Sequence, residues 1–193
     1  MRKSVLAAVI ALSGLVSPAA SAFDPDTPVG EKPEAFPITL GDEEDATIDL
    51  AFRTAFGLPK GAEPEAARTI DERSYHFRPV AIHLLEDNTG VLLSVGSLDE
   101  AGHSEGGLNA IHYLKSSPDG WVKQGEWIGL GATGTVGNGA TSWAFSNLLG
   151  RNPYLLTAGG GVWQGCAIGS AAVTELAPDS PVDRGSFTDG MSS

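Results

Sequence analysis

From residue 79 onward the chain repeats itself, and this limits its architecture more than any other feature. The run AIHLLEDNTGVLLSVG (81–96) lies over AFSNLLGRNPYLLTAG (144–159) at a constant offset of 63. AIHYL (110–114) lies over AVTEL (172–176) at 62, and WVKQGEW (121–127) over PVDRGSF (181–187) at 60, keeping V-x-x-G-x-aromatic. Small gaps in the loops account for the drift. Each copy reads as four short strands, at 80–85, 91–96, 108–114 and 121–127, then at 143–148, 154–159, 170–176 and 182–187. Asp87-Asn88-Thr89-Gly90, Pro118-Asp119-Gly120, Arg151-Asn152-Pro153 and Pro178-Asp179-Ser180-Pro181 supply turns between them. Connections this short favour antiparallel neighbours. The chain is therefore expected to be mainly β, with two tandem four-stranded antiparallel meanders forming a sandwich or barrel-like sheet. A propeller usually needs about four blades or more, and two units are too few for one chain to close it.

The segments before the repeat differ in kind. Residues 1–22 combine a positive start (Arg2, Lys3), an apolar stretch from Val5 to Val16 and the small residues Ala20-Ser21-Ala22. That pattern reads as a signal peptide, with an apolar run too short to span a bilayer. The expected location is a bacterial periplasm or the exterior, without stable membrane insertion once the leader is removed. Residues 23–75 read as an acidic, Pro-rich arm followed by one short helix. Ile48, Ala51, Phe52, Ala55 and Phe56 recur at helical spacing, Asp45 or Thr47 can cap the start, and Gly57 can end it. PKGAEPEAARTIDER (59–73) reads as a polar connection, 76–187 as the duplicated β domain, and 188–193 as a C-terminal tail.

Charge removes one function class. Twenty-four acidic residues face twelve basic ones, and two of the twelve lie in the leader. Such a surface repels nucleic acid. Cys166 is the single cysteine, which rules out an intramolecular disulfide and leaves a buried, inert thiol as the simplest expectation.

Two motifs invite an enzymatic reading. GHSEG (102–106) matches the nucleophile elbow G-x-S-x-G with Ser104 as nucleophile. The elbow needs a strand entering it, a helix leaving it and a histidine later in the chain. The last histidine is His112, only eight residues on, and the run after the motif duplicates as a strand. A hydroxyl without a base is a poor nucleophile at neutral pH. GLGATG (129–134) matches G-x-G-x-x-G, but Gly137 and Gly139 oppose the helix a dinucleotide site needs, and no Asp or Glu follows before Thr174. It reads as a linker between the copies. No complete catalytic set and no cofactor are expected.

What remains is a stretch from Trp127 to Thr174 whose only formal charge is Arg151. It holds Trp127, Trp143, Phe145, Tyr154 and Trp163 among many glycines, and suits either a deeply buried second unit or a neutral binding surface. Within GGGVWQGC (159–166), the glycines allow close backbone approach, Trp163 offers a flat face, and Gln164 a donor and an acceptor. His103 and Glu105 are further ligand-binding candidates. His83, His103 and His112 are candidate metal ligands, although their spacing matches no established zinc pattern. The expectation is an exported, non-enzymatic β-repeat protein that binds a neutral ligand or protein partner, with homo-oligomerisation open. The alternative is a metal-dependent or Ser-dependent hydrolase using the region of His83, His103, Ser104 and His112.

Overall fold

The structure, a computed structural model, describes residues 42–102, 105–163 and 166–192. The expected signal peptide and most of the arm fall outside these residues. One helix and nine strands follow in order: α1 (Asp42–Phe56), β1 (Ala66–Ile70), β2 (Arg73–Leu84), β3 (Thr89–Leu98), β4 (Leu108–Ser117), β5 (Gly120–Ile128), β6 (Ser142–Ser146), β7 (Tyr154–Trp163), β8 (Cys166–Leu176) and β9 (Pro181–Ser192). They form two antiparallel sheets, β1-β2-β3-β4-β5 and β6-β7-β8-β9. The mainly β, two-meander architecture is the one expected, and the first sheet curls as a half-barrel.

Strand register preserves the duplication. Ile82 pairs with Leu92 and Leu92 with His112; at the equivalent places Phe145 pairs with Leu155 and Leu155 with Thr174. The last strand differs. Leu114 pairs with Lys123 while its equivalent Leu176 pairs with Pro181, an offset of 58 (123 to 181) instead of the 60 read from sequence. Both copies carry a bulge there, at Tyr113/Leu114 and at Ala172/Thr174, and bulges absorb such slips.

Several boundaries need correction. The stretch expected as a polar connection contains β1, and β2 begins at Arg73, so the first sheet has a fifth strand. Asp71 and Glu72 form the two-residue turn between them, with φ of 49° and 65°. Positive φ at both central residues is the type I′ hairpin geometry, usually written with Asn and Gly. Asp-Glu hides it. The stretch expected as a tail is part of β9, which runs to Ser192. The helix starts at Asp42, so the acidic run is its first turn and not the approach to it.

Helix α1 ends where expected. Gly57 adopts φ 69°, Leu58 N–H reaches Arg53 O at 2.8 Å and Gly57 N–H reaches Thr54 O at 3.4 Å. This is the Schellman pattern that a left-handed glycine permits. Ala51, Phe52, Ala55 and Phe56 bury completely or nearly so against Phe77, Ile82, Leu92, Ala110 and Leu114. A second cluster, made of Val91, Leu93, Ile111 and Tyr113 with Leu155 and Leu176, fills the space between the sheets. Trp127, Trp143 and Phe145 pack on it, and Tyr113 Oη donates to Ala177 O at 2.9 Å. The order of layers is thus helix, first sheet, second sheet.

Candidate binding face

Alternation along a strand decides which side chains can meet. In β3, Leu92 faces α1 and Leu93 faces the second sheet. His83 pairs with Val91 and His112 with Leu92, which puts the two histidines on opposite faces of one sheet. They do not converge. His83 stacks on Phe145 across the sandwich, ring centroids 4.8 Å apart at 18°, and burial lowers its pKa. His112 is fully buried beneath the helix, 4.8 Å from the Phe56 ring. Neither of its ring nitrogens has a hydrogen-bond partner, although Nε2 lies 3.3 Å from Glu126 Oε2. Desolvation dominates and pushes its pKa down to about 4, so the ring is neutral at pH 7. Among the described residues, no group of three or more His, Cys, Asp and Glu is placed to hold a metal ion. His103 and Ser104 lie outside the described residues.

The fourth histidine, His76, has the more organised surroundings. Its Nδ1 is 3.0 Å from Glu65 Oε1 and its Nε2 3.1 Å from Asp99 Oδ2. Glu65 also accepts two bonds from Arg78 at 2.8 and 2.6 Å. The bond to Glu65, then the charge of Asp99, raises the His76 pKa. No sequence spacing reveals this group. It assembles only because β1 pairs with β2 and β2 with β3. A general base needs a free imidazole nitrogen, and both nitrogens of His76 are committed to carboxylates. Its role is to tie β1 and the turn after β3 to β2.

The two glycine motifs face each other. Gly107 N–H donates to Asn138 O at 2.7 Å, Gly137 N–H to Glu105 O at 2.7 Å, and Leu98 N–H to Gly137 O at 2.7 Å. A Cβ on Gly106 would lie 2.5 Å from Gly134 O, and one on Gly107 would strike Gly96 O. The elbow-like and nucleotide-like motifs are the two sides of one backbone seam, and its closeness requires glycine. Glu105 braces the seam. It accepts from Gly102 N–H at 2.7 Å and from Arg73 at 2.5 Å, which lowers its pKa in that order of importance.

The glycines of GGGVWQGC also face the chain itself. A Cβ on Gly159 would lie 2.7 Å from Thr133 O, and one on Gly161 would strike Thr135 Oγ1. Thr135 Oγ1 donates to Gly160 O at 2.8 Å. The approach that the glycines allow is made by the linker. Trp163 ends β7, where it pairs with Cys166, and Gln164 lies outside the described residues.

A different surface emerges from the register. Leu156 and Val173 are the second-copy equivalents of Leu93 and Ile111, which are fully buried between the sheets. On β7 and β8 these residues point away from the sandwich, and both are only half-buried. Cross-strand rows Ala144-Leu156-Val173, Ser142-Ala158-Ala171-Phe187 and Gly160-Gly169 make up this outer face. Neither hydrophobic cluster includes a residue from it. β6, β7 and β8 as far as Thr174 carry no charged residue. Towards the end of β8, Glu175 pairs with Arg184, with Arg184 Nε 2.7 Å from Glu175 Oε2, and β9 also carries Asp183 and Asp189. Phe187 and Val162 are exposed on this face at 56% and 67%. The sequence had singled out the second copy for its lack of acid but pointed to the tip of a hairpin. The face itself needs strand register to be seen.

Comparison with family models, with curated proteins and with solved structures finds no match.

Proposed function

We propose that this chain is an exported binding module, not an enzyme, and that it recognises an uncharged partner through the outer face of its second sheet. The observation that carries the reading is the asymmetry of the two copies. Residues that bury completely between the sheets in the first copy have apolar, solvent-facing counterparts in the second. An apolar patch on strands β6, β7 and β8, which carry no charge before Glu175, is characteristic of an interaction surface on an otherwise acidic protein. Export rests on the leader-like residues 1–22. Against catalysis stand the committed nitrogens of His76 and the separation of His83 from His112.

Binding of the mature chain to arrays of neutral glycans and peptides tests the reading, with Phe187→Asp as the matched control. Binding that is lost in the variant supports it. Binding that survives both Phe187→Asp and Leu156→Asp overturns the assignment of the face. Hydrolysis of an activated ester that Ser104→Ala abolishes overturns the non-enzymatic reading.

A further inference from the structure

Helix α1 is held to the first sheet by side-chain packing and little else. Among the described residues, no backbone hydrogen bond joins it to a strand. Arg68 on β1 donates from Nη2 to Phe56 O at 3.3 Å, and Arg53 donates to Ala62 O in the connection that follows the helix. Beneath α1 lies His112, wholly buried on β4, with the Phe56 ring 4.8 Å away. A buried polar atom without a partner is uncommon in a folded protein and calls for a reason. Among the described residues, neither ring nitrogen of His112 finds one.

We infer that α1 is an acid-released cover: proton uptake by His112 lifts the helix from the first sheet and exposes the apolar surface beneath it, while the second sheet stays folded. An imidazolium carries two N–H donors, and the site offers one poor acceptor. Glu126 Oε2 lies 3.3 Å from Nε2 but is already bonded to Lys123 Nζ at 2.9 Å, and Nδ1 meets no acceptor. The other elements around the ring bring no further anion. Arg68 on β1 is itself cationic, β3 supplies Leu92, and α1 supplies Phe56, its Asp49 and Arg53 being paired with each other at 3.3 Å. The opposite face of β4 packs on the second sheet through Ile111 and Tyr113, so lifting α1 is what brings water to the ring. The helix can leave as a unit because it passes into the connection 57–65 at Gly57, where φ is 69°. Its departure uncovers Phe77, Ile82, Leu92, Ala110 and Leu114. The second sheet has no residue in that cluster. Under the seated helix the ring takes a proton only near pH 4, whereas in water it does so near its ordinary 6.5. Acid therefore favours the lifted state, by about tenfold per pH unit between these values.

Hydrogen exchange of the mature chain at about pH 7 and about pH 4.5, corrected for intrinsic rates, tests the inference. Protection of the α1 amides should fall about a hundredfold while β7 and β8 keep theirs. Glu175, whose pKa is lowered by Asn152 and Arg184, stays mostly ionised at the lower pH, so the second sheet keeps that pairing. An anilinonaphthalene sulfonate dye should brighten over the same pH range as apolar surface is uncovered. His112→Leu should keep α1 protected in acid, and if that variant does not fold, His112→Gln, equally unable to titrate, takes its place. Helix amides that stay protected in the unaltered chain, a simultaneous loss of protection in every strand, or release that persists in the non-titrating variant each overturns the inference.

Discussion

The two sheets descend from one pattern and live in different environments. The first is covered twice, by α1 on the Leu92 side and by the second sheet on the Leu93 side. Among the described residues the second is covered once, by the first sheet. Where the first has Val95, Asn109 and Ile111 facing the sandwich, the second has Ala158, Ala171 and Val173 facing outward. Side chains have become smaller there and stayed uncharged. The difference teaches that burial in this protein follows position in the stack and not membership of a repeat.

The comparison can be broken at its most buried place. Phe52→Ala empties the site under α1, where Phe52 is wholly enclosed and 4.5 Å from the Phe56 ring. Urea unfolding should show a loss of about 3–5 kcal/mol. If the loss is below about 1 kcal/mol, α1 is not what closes the first sheet.

A paired substitution sharpens the contrast further. Leu93→Ala should cost about 2–5 kcal/mol because that leucine is fully buried between the sheets. Leu156→Ala, at the equivalent register position, should cost about 1 kcal/mol or less in the monomer. Equal losses would mean that the outer face is covered.

The histidines carry the most specific signature, with opposite signs. The pKa of His112 is depressed from 6.5 to about 4 by burial, so the unfolded chain binds a proton more readily. Its contribution is complete above pH 6.5 and is lost as pH falls towards 4, by up to about 3 kcal/mol. His112→Leu should flatten that limb of a stability–pH curve. The pKa of His76 is raised by Glu65 and Asp99, so its contribution is complete below pH 6.5 and is lost as pH rises through the raised value. His76→Gln should remove the alkaline limb and leave the acid limb in place.

Much of the fold was legible because it depends on local rules applied twice. Alternation located eight of the nine strands, the Phe52 and Phe56 spacing located the helix, and Gly57 located its end. β1 escaped because a type I′ turn written Asp71-Glu72 carries no turn signal. The slip of β9 escaped because a bulge alters register without changing composition. The candidate site was legible only as a region. Charge depletion marked the second copy, whereas the outer face, the opposed histidines and the Glu65-His76-Asp99 bridge all follow from pairings between residues far apart in the chain. The two motifs with enzymatic overtones were glycines answering a steric demand that no single segment can reveal.

That glycine seam also bears on how the protein can fail. Proteins with duplicated units are prone to exchange a unit with a neighbouring molecule by opening the connection between them. Here the connection from Gly131 to Gly139 has no slack, since backbone bonds at Gly107, Gly137 and Leu98 fasten it to the first unit along its length. To open as a hinge it would have to release these bonds together. The seam therefore acts as a lock on molecular identity, keeping each second unit with the first unit of its own chain.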